Sequence, residues 1–146
     1  MSHRFPIALA AAALLVMLAI PRVAHAADLN LRAVLIGGGV VSATESPGSG
    51  EALAVLEEDD DLRLDLAYTG LVTGNTGAAL HVGEETENGP EIAELDISLD
   101  TTEGRVSVAE LRLDPDDAAR VRAGESYLVI RTIEYPDGAI RGQLAK

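Results

Sequence analysis

Apolar and polar residues alternate with a period of two along several segments of this chain. In LRLDLAYT (62–69), every second residue from Leu62 to Tyr68 is large and apolar, and charged or small residues stand between them. The segment AELDISLD (93–100) repeats the pattern with Leu95, Ile97 and Leu99. Such alternation places apolar side chains on one face of an extended strand and polar side chains on the other. The pattern therefore predicts half-buried β-strands.

Eight segments carry this pattern, and clusters of Gly, Pro, Asn, Ser and acidic residues separate them: 29–36, 51–57, 62–69, 78–82, 93–100, 104–111, 127–135 and 139–144. Short strands between turn clusters are typical of an antiparallel sandwich or barrel and not of alternating βα units. One segment differs, because Asp114 can cap a helix, Pro115 suits its first position and Gly124 suits its end. We expect an all-β fold, an antiparallel β-sandwich or barrel of about eight strands, with one short helix at about 115–122.

The first 26 residues have the layout of a secretory signal peptide. A basic start precedes the apolar run 5–20, and Ala24 and Ala26 form an A-x-A cleavage pattern. That run is shorter than the roughly 20 residues that a membrane helix needs. We expect cleavage after Ala26, one domain over 27–146, secretion or periplasmic localisation by a Sec-type route, and no membrane association after cleavage.

The chain that would remain after cleavage is strongly acidic. It keeps 9 basic and 24 acidic residues, which give a net charge of −15, and it has no cysteine. A charge of this sign disfavours binding to nucleic acid and to anionic membranes. Without cysteine, the fold must depend on the packing of aliphatic side chains and not on disulfides.

The segment YLVIRTIEYPDGAIRGQL (127–144) resembles the end of the CHRD domain, a module named after chordin and also found alone in secreted bacterial proteins. That family typically ends in a Tyr-rich strand, a His-Thr pair, a Pro-x-Gly turn and Ile-Arg-Gly-Gln. Upstream, LHVGEETENGPEIAEL (80–95) is similar to the family's His-x-His, Gly, Gly-Pro, Leu segment. The resemblance implies an extracellular all-β module, which in larger proteins is associated with binding growth-factor-like partners. For stand-alone bacterial members it implies no established activity.

The resemblance also marks candidate structural or binding residues: His81, Gly83, Asn88, Gly89, Pro90, Tyr127, Arg131, Thr132, Pro136, Gly138, Arg141, Gly142 and Gln143. Two positions depart from the family pattern. The first histidine of His-x-His is replaced by Ala79, and the histidine of the His-Thr pair is replaced by Arg131. A metal site built on clustered histidines is therefore not implied for this chain.

The segment YPDG predicts a tight turn that joins the last two strands. Pro136 presets φ for the second position of the turn, and Gly138 accepts a positive φ. Beyond the turn, we expect Arg141 to pair with an Asp or Glu across the sheet, with ligand contact as the alternative. We expect Gly142 to allow the close approach of backbone or of a large side chain.

Catalytic groups are scarce. His81 is the only histidine after the predicted cleavage site, so a zinc or copper site lacks the three or four donors it needs. The serines of SPGSG (46–50) lack the turn geometry of a hydrolase nucleophile and a neighbouring base. We expect no cofactor and no enzymatic activity.

Two acidic segments suggest an alternative of another class. Asp59, Asp60 and Asp61 end one acidic run, and Glu84 and Glu85 lie in a second. Oxygen-rich loops suit Ca²⁺, although neither segment has EF-hand spacing and runs of like charge are often only solvated. The sequence therefore leaves two hypotheses: a secreted module that binds an unknown protein partner or has a structural role, and a protein bound to or stabilised by calcium.

Overall fold

The computed structural model describes residues 27–146, and the predicted signal peptide lies outside them. The described residues form a single antiparallel sheet of eight strands and one α-helix. The strands are β1 (Leu29–Ile36), β2 (Ser49–Leu56), β3 (Asp61–Thr69), β4 (Asn75–Val82), β5 (Glu91–Leu95), β6 (Gly104–Arg112), β7 (Ser126–Thr132) and β8 (Ile140–Leu144). The helix α1 (Pro115–Arg122) connects β6 to β7, and a short 3₁₀ turn at Gly37–Gly39 follows β1. The expectation of an all-β fold with one short helix is confirmed.

The strand order is β5-β4-β7-β8-β1-β2-β3-β6, which makes the sheet a nearly closed barrel. One half of the sheet consists of β5, β4, β7 and β8, and the other half consists of β1, β2, β3 and β6. The two halves meet where β8 lies beside β1. This seam is thinly paired, by Ile36 with Arg141 and by a bridge between Arg32 and Ala145. Strands β5 and β6 have one neighbour each and form the edges of the sheet.

The alternating residues point inward as the sequence predicts. The interior of the barrel is almost entirely aliphatic, with fully buried Leu31, Leu35, Leu56, Leu64, Leu66, Leu80, Leu128, Ile130, Ile140 and Leu144. The helix contributes Ala118 and Val121 to the same core. Burial of each large aliphatic side chain stabilises the fold by roughly 1.5–3 kcal/mol, which explains how a domain without disulfides can hold together.

Helix α1 occupies the predicted residues and ends as predicted. The amide of Gly124 donates to Val121 O and the amide of Glu125 donates to Arg120 O, with Gly124 at φ +80°. These paired bonds form a Schellman C-cap. The side chain of Asp114 does not cap the helix as expected. Only the backbone carbonyl of Asp114 accepts a hydrogen bond, from the Ala118 amide.

The prediction of a strand over 93–100 is wrong for its second half. Strand β5 ends at Leu95, and residues 96–103 form a loop that crosses toward β6. Asn75 holds this loop, since its Nδ2 lies 2.9 Å from Ser98 O and 3.1 Å from Thr101 O. Asp100 adopts φ +57°, a conformation that no strand allows. Tertiary hydrogen bonds therefore override the local alternation.

The antiparallel order sorts the connections between the two ends of the barrel. Loops 37–48, 70–74, 96–103 and 133–139 lie at one end, here named the four-loop end. The other end, named the helix end, carries the turn 57–60, the loop 83–90 and the segment 113–125 that contains α1. In residues 27–146, no helix has the length and apolar character needed to cross a bilayer.

Candidate functional site

Most of the residues singled out by the family resemblance converge on one loop. This acidic loop, residues 83–90, is fastened by side chains on the outer faces of β4, β7 and β8. The side chains that fasten it are His81, Tyr127, Arg141 and Gln143. We name these four residues the loop anchor.

Arg141 is the centre of the loop anchor, and its environment differs from the one predicted. Arg141 is 2% exposed, and its guanidinium donates to Glu87 O at 2.7 Å and to Glu84 O at 2.6 Å. It also lies 3.3 Å from Asn88 Oδ1. The prediction that Arg141 pairs with a carboxylate across the sheet is wrong, because backbone carbonyls of the acidic loop take that place.

The ring of Tyr127 supports this buried charge. The guanidinium carbon of Arg141 lies 3.4 Å from the centroid of the Tyr127 ring, a cation–π contact. Burial lowers the pKa of Arg141, and the charges of Tyr127 and Glu85 oppose that shift. Burying an unpaired charge is costly unless fixed dipoles and hydrogen bonds compensate it, so the loop carbonyls and the aromatic ring are what hold Arg141 in place.

His81 and Tyr127 hold the far end of the acidic loop. Their rings stack with centroids 5.0 Å apart, and His81 Nδ1 lies 2.9 Å from Gly89 O. A carbonyl oxygen can only accept, so Nδ1 carries the hydrogen. The Tyr127 hydroxyl accepts the Gly89 amide at 2.9 Å. Gly89 can lie against the backbone of β4 because it has no side chain, whereas a Cβ at this position would overlap Val82 O.

Gln143 ties the start of the acidic loop to the end of the helix segment. Its Nε2 donates to Gly83 O at 2.8 Å and to Gly124 O at 3.0 Å. Pro90 is the last residue of the acidic loop. Its carbonyl accepts a hydrogen bond from the Val82 amide, where the pairing of β4 with β5 begins.

The remaining resemblance residues lie outside the loop anchor. Arg131 extends from β7 across β4 to β5, where Nη2 lies 2.8 Å from Glu94 Oε1 and Nη1 lies 3.9 Å from Glu91 Oε2. Thr132 Oγ1 accepts the Tyr135 amide, which shapes the β7–β8 connection. The predicted turn is present there, because the Gly138 amide donates to Tyr135 O and Gly138 has φ +142°.

Gly142 sits at the seam between the two halves of the barrel. A Cβ at this position would overlap the carbonyl of Val34 on β1. The predicted close approach of backbone is therefore present, and the approaching backbone belongs to the neighbouring strand.

The family of the chain follows from comparison with family models. A family model described as "CHRD domain" matches residues 31–144. The chain belongs to the CHRD domain family. Comparison with curated proteins and with solved structures found no significant match. Family membership agrees with an extracellular type of module. In this CHRD domain, the end motif places Arg141 and Gln143 under the acidic loop.

Three of the five acids proposed for calcium are engaged with arginines in this CHRD domain. Asp61 Oδ2 accepts a hydrogen bond from Arg112 Nη2 at 3.0 Å, and Asp61 Oδ1 lies 2.8 Å from Arg112 Nε. Asp60 Oδ1 lies 2.9 Å from Arg122 Nη2. Asp59 lies 3.8 Å from Arg112. Glu84 and Glu85 belong to the separate acidic loop. Within residues 27–146, no group of three or more His, Cys, Asp or Glu side chains is arranged to hold a metal ion.

A second surface of the CHRD domain was missed by the sequence reasoning. Each loop of the four-loop end exposes one large aliphatic side chain, with exposed fractions between 42% and 80%: Val41, Val72, Leu99 and Ile133. The sequence contains an indication of this surface. Val41 and Val72 lie in Gly-rich turns, where no strand or helix face would bury their side chains. For Leu99, the alternation pointed to a buried strand position instead.

The four loops are fastened to one another in two pairs. Thr44 Oγ1 donates to Ala139 O at 2.6 Å, which joins the first loop to the last. The Leu71 amide donates to Thr102 O, and Asn75 holds the loop 96–103 as described above. The exposed aliphatic side chains therefore stand on a preorganised platform, which lowers the entropic cost of binding.

Proposed function

We propose that this CHRD domain is a secreted, non-enzymatic recognition module that binds a protein partner through its four-loop end. The observation that carries the proposal is the exposure of one large aliphatic side chain by each of the four loops at that end. We infer that these four side chains together form an apolar surface at this end, and an apolar patch on a secreted domain commonly marks an interaction site. Family membership supports an extracellular setting.

The charge of the four-loop end indicates the kind of partner. The four loops contain no Lys or Arg, and they carry six exposed carboxylates: Glu45, Asp96, Asp100, Glu103, Glu134 and Asp137. Complementary potentials favour association and specificity. The partner surface would therefore be apolar at its centre and surrounded by Lys and Arg.

The loop anchor supports a non-enzymatic role. His81 would be the natural general base of the domain, yet its Nδ1 is engaged with Gly89 O and its ring is stacked on Tyr127. Arg141 is covered by the acidic loop. His81 Nε2 is buried and has no hydrogen-bond partner among residues 27–146, so the surrounding side chains shield it from a substrate. We infer that these residues hold the acidic loop and do not react.

Site-specific photo-crosslinking tests the proposal. A benzophenone amino acid would replace Val72 or Ile133 in the secreted protein, and the control would carry it at Glu58, an exposed position at the helix end. Incubation with the native extracellular medium should give one discrete adduct from both loop positions and none from position 58. An unlabelled wild-type domain should suppress the adduct, whereas V72S/I133S should not. Equal adducts from all three positions, or none from the loops, would refute the proposal.

A further inference from the structure

The outer face of β1, β2, β3 and β6 carries an open trough of about 480 Å³. Its middle is lined by Val34 and Leu53, which are 63% and 59% exposed, and by the small side chain of Ala67. Arg32 lies on the β1 side and Arg105 on the β6 side. This trough lies on the side of the barrel and is distinct from the four-loop end.

The two arginines of the trough are exceptional among the arginines of this acidic domain. In residues 27–146, five arginines contact carboxylates within 4.0 Å: Arg63, Arg112, Arg120, Arg122 and Arg131. Arg141 is buried beneath the acidic loop. Arg32 and Arg105 are exposed, and neither has a salt bridge or a side-chain hydrogen bond to the described part of the chain. Both nevertheless line the same trough.

The strand register fixes the order of charges across the trough. Val34, Glu51, Ala67 and Arg105 form one row across the four strands, and Arg32 lies in the next row beside Leu53. The carboxylate of Asp65, also in that row, accepts the Ser107 hydroxyl. The trough therefore presents positive charge at its two sides, with aliphatic surface and the carboxylates of Glu51 and Asp65 between them.

We propose that this trough binds an extended peptide with two carboxylates four residues apart and an aliphatic side chain midway between them. Arg32 and Arg105 are separated by three strand spacings and offset by two residues along the strands, so their Cα atoms are about 16 Å apart, a span that their long side chains can shorten. In an extended peptide, side chains i, i+2 and i+4 share a face, and the outer two are about 13 Å apart. The peptide carboxylates would thus reach the arginines while the central side chain meets Val34 and Leu53.

Two features favour this occupant. An acidic residue at the centre of the peptide would face Glu51, so the pattern is selective for an uncharged centre. The trough is open along its length, whereas small-molecule sites typically bury about 70–90% of their ligand. An extended segment laid across the sheet suits such a shallow surface better than a compact molecule.

The test uses a fluorescein-labelled peptide, Gly-Glu-Ser-Val-Ser-Glu-Gly, and fluorescence anisotropy with the domain over 27–146. We expect saturable binding that weakens by about tenfold or more in R32Q/R105Q. The matched control is R63Q, which removes an outer-face arginine of the same sheet that is paired with Glu57 and lies outside the trough. A second peptide, Gly-Val-Ser-Glu-Ser-Val-Gly, carries its carboxylate at the centre and should bind at least about tenfold more weakly.

Thermal melts of all variants establish that each is folded. Three outcomes would overturn the proposal: no binding of the first peptide up to about 1 mM, equal weakening by R63Q and R32Q/R105Q, or equal affinity for the two peptides. V72S/I133S should bind the first peptide as the wild type does, because the four-loop end is a separate surface.

Discussion

Arg141 is a positive charge buried among backbone carbonyls, and it determines how the acidic loop is held. Its two short bonds to Glu84 O and Glu87 O and its contact with Tyr127 all require a planar guanidinium. Hydrogen bonds to a charged group contribute about 1.5–3 kcal/mol each when buried. A lysine at this position keeps the charge, but its ammonium cannot bond both carbonyls in this fork and stack on the ring.

We therefore expect Arg141→Lys to lower the free energy of unfolding by about 2–4 kcal/mol. Urea denaturation of the domain over 27–146 measures this change. Arg63→Lys is the control, because the exposed pair of Arg63 with Glu57 should contribute less than about 1 kcal/mol. Equal losses in the two variants would show that Arg141 has no special role.

Glu91 gives a pH-dependent prediction. The side-chain hydrogen bond with Glu94 raises the pKa of Glu91, and desolvation and the Glu94 charge add to the shift, while Arg131 and His81 oppose it. A raised pKa means that the folded state binds this proton more tightly than the unfolded chain. The stability linked to Glu91 is thus present below its unfolded pKa and is lost as the pH rises through the folded pKa.

Glu91→Gln removes this dependence because glutamine stays neutral. The Tm of the variant should differ little from that of the wild type at low pH and should exceed it increasingly as the pH rises through the raised pKa. Calorimetric scans across mildly acidic to neutral pH measure the difference. A wild type that becomes the more stable of the two as the pH rises would contradict the expectation.

At the scale of elements, the sequence predicts what depends on local patterns and misses what depends on distant contacts. The alternating leucines predict the strands, and Pro115 and Gly124 predict the helix. The loop anchor could not be predicted as a unit, because Arg141 and Glu84 lie 57 residues apart. The end of β5 could not be predicted for the same reason, because the side chain of Asn75, on β4, holds the loop 96–103. The exposure of Ile133 likewise depends on where β7 ends, because the strand predicted over 127–135 stops at Thr132.

The seam between β8 and β1 is sensitive to one added methyl group. Gly142→Ala would push a Cβ into Val34 O, and neither strand can move without losing its other neighbour. We expect a loss of roughly 2–3 kcal/mol in unfolding free energy.

Gly124→Ala is the matched control for the seam. Gly124 has a positive φ but no atom within 4 Å of an added Cβ, so only backbone strain of about 1 kcal/mol is expected. Urea denaturation of both variants separates the two effects, and a larger loss at Gly124 would argue against close packing at the seam.

At the scale of the whole molecule, acidity does not by itself make a calcium protein. The carboxylates of Asp60 and Asp61 are occupied by Arg122 and Arg112, so a cation would have to displace those arginines before it could bind. We expect the Tm to remain unchanged when millimolar calcium is added at fixed ionic strength, because a ligand raises Tm only by binding the folded state. A rise that grows with calcium concentration and is absent with magnesium would contradict this expectation and support the calcium hypothesis.

The bridge between Arg32 and Ala145 has a practical consequence for the orientation of the domain. It places the start of β1 and the end of β8 side by side at the helix end. If the domain is attached to a sensor chip or bead near residue 28 or residue 146, the helix end faces the support, and Val72 and Ile133 face the solution.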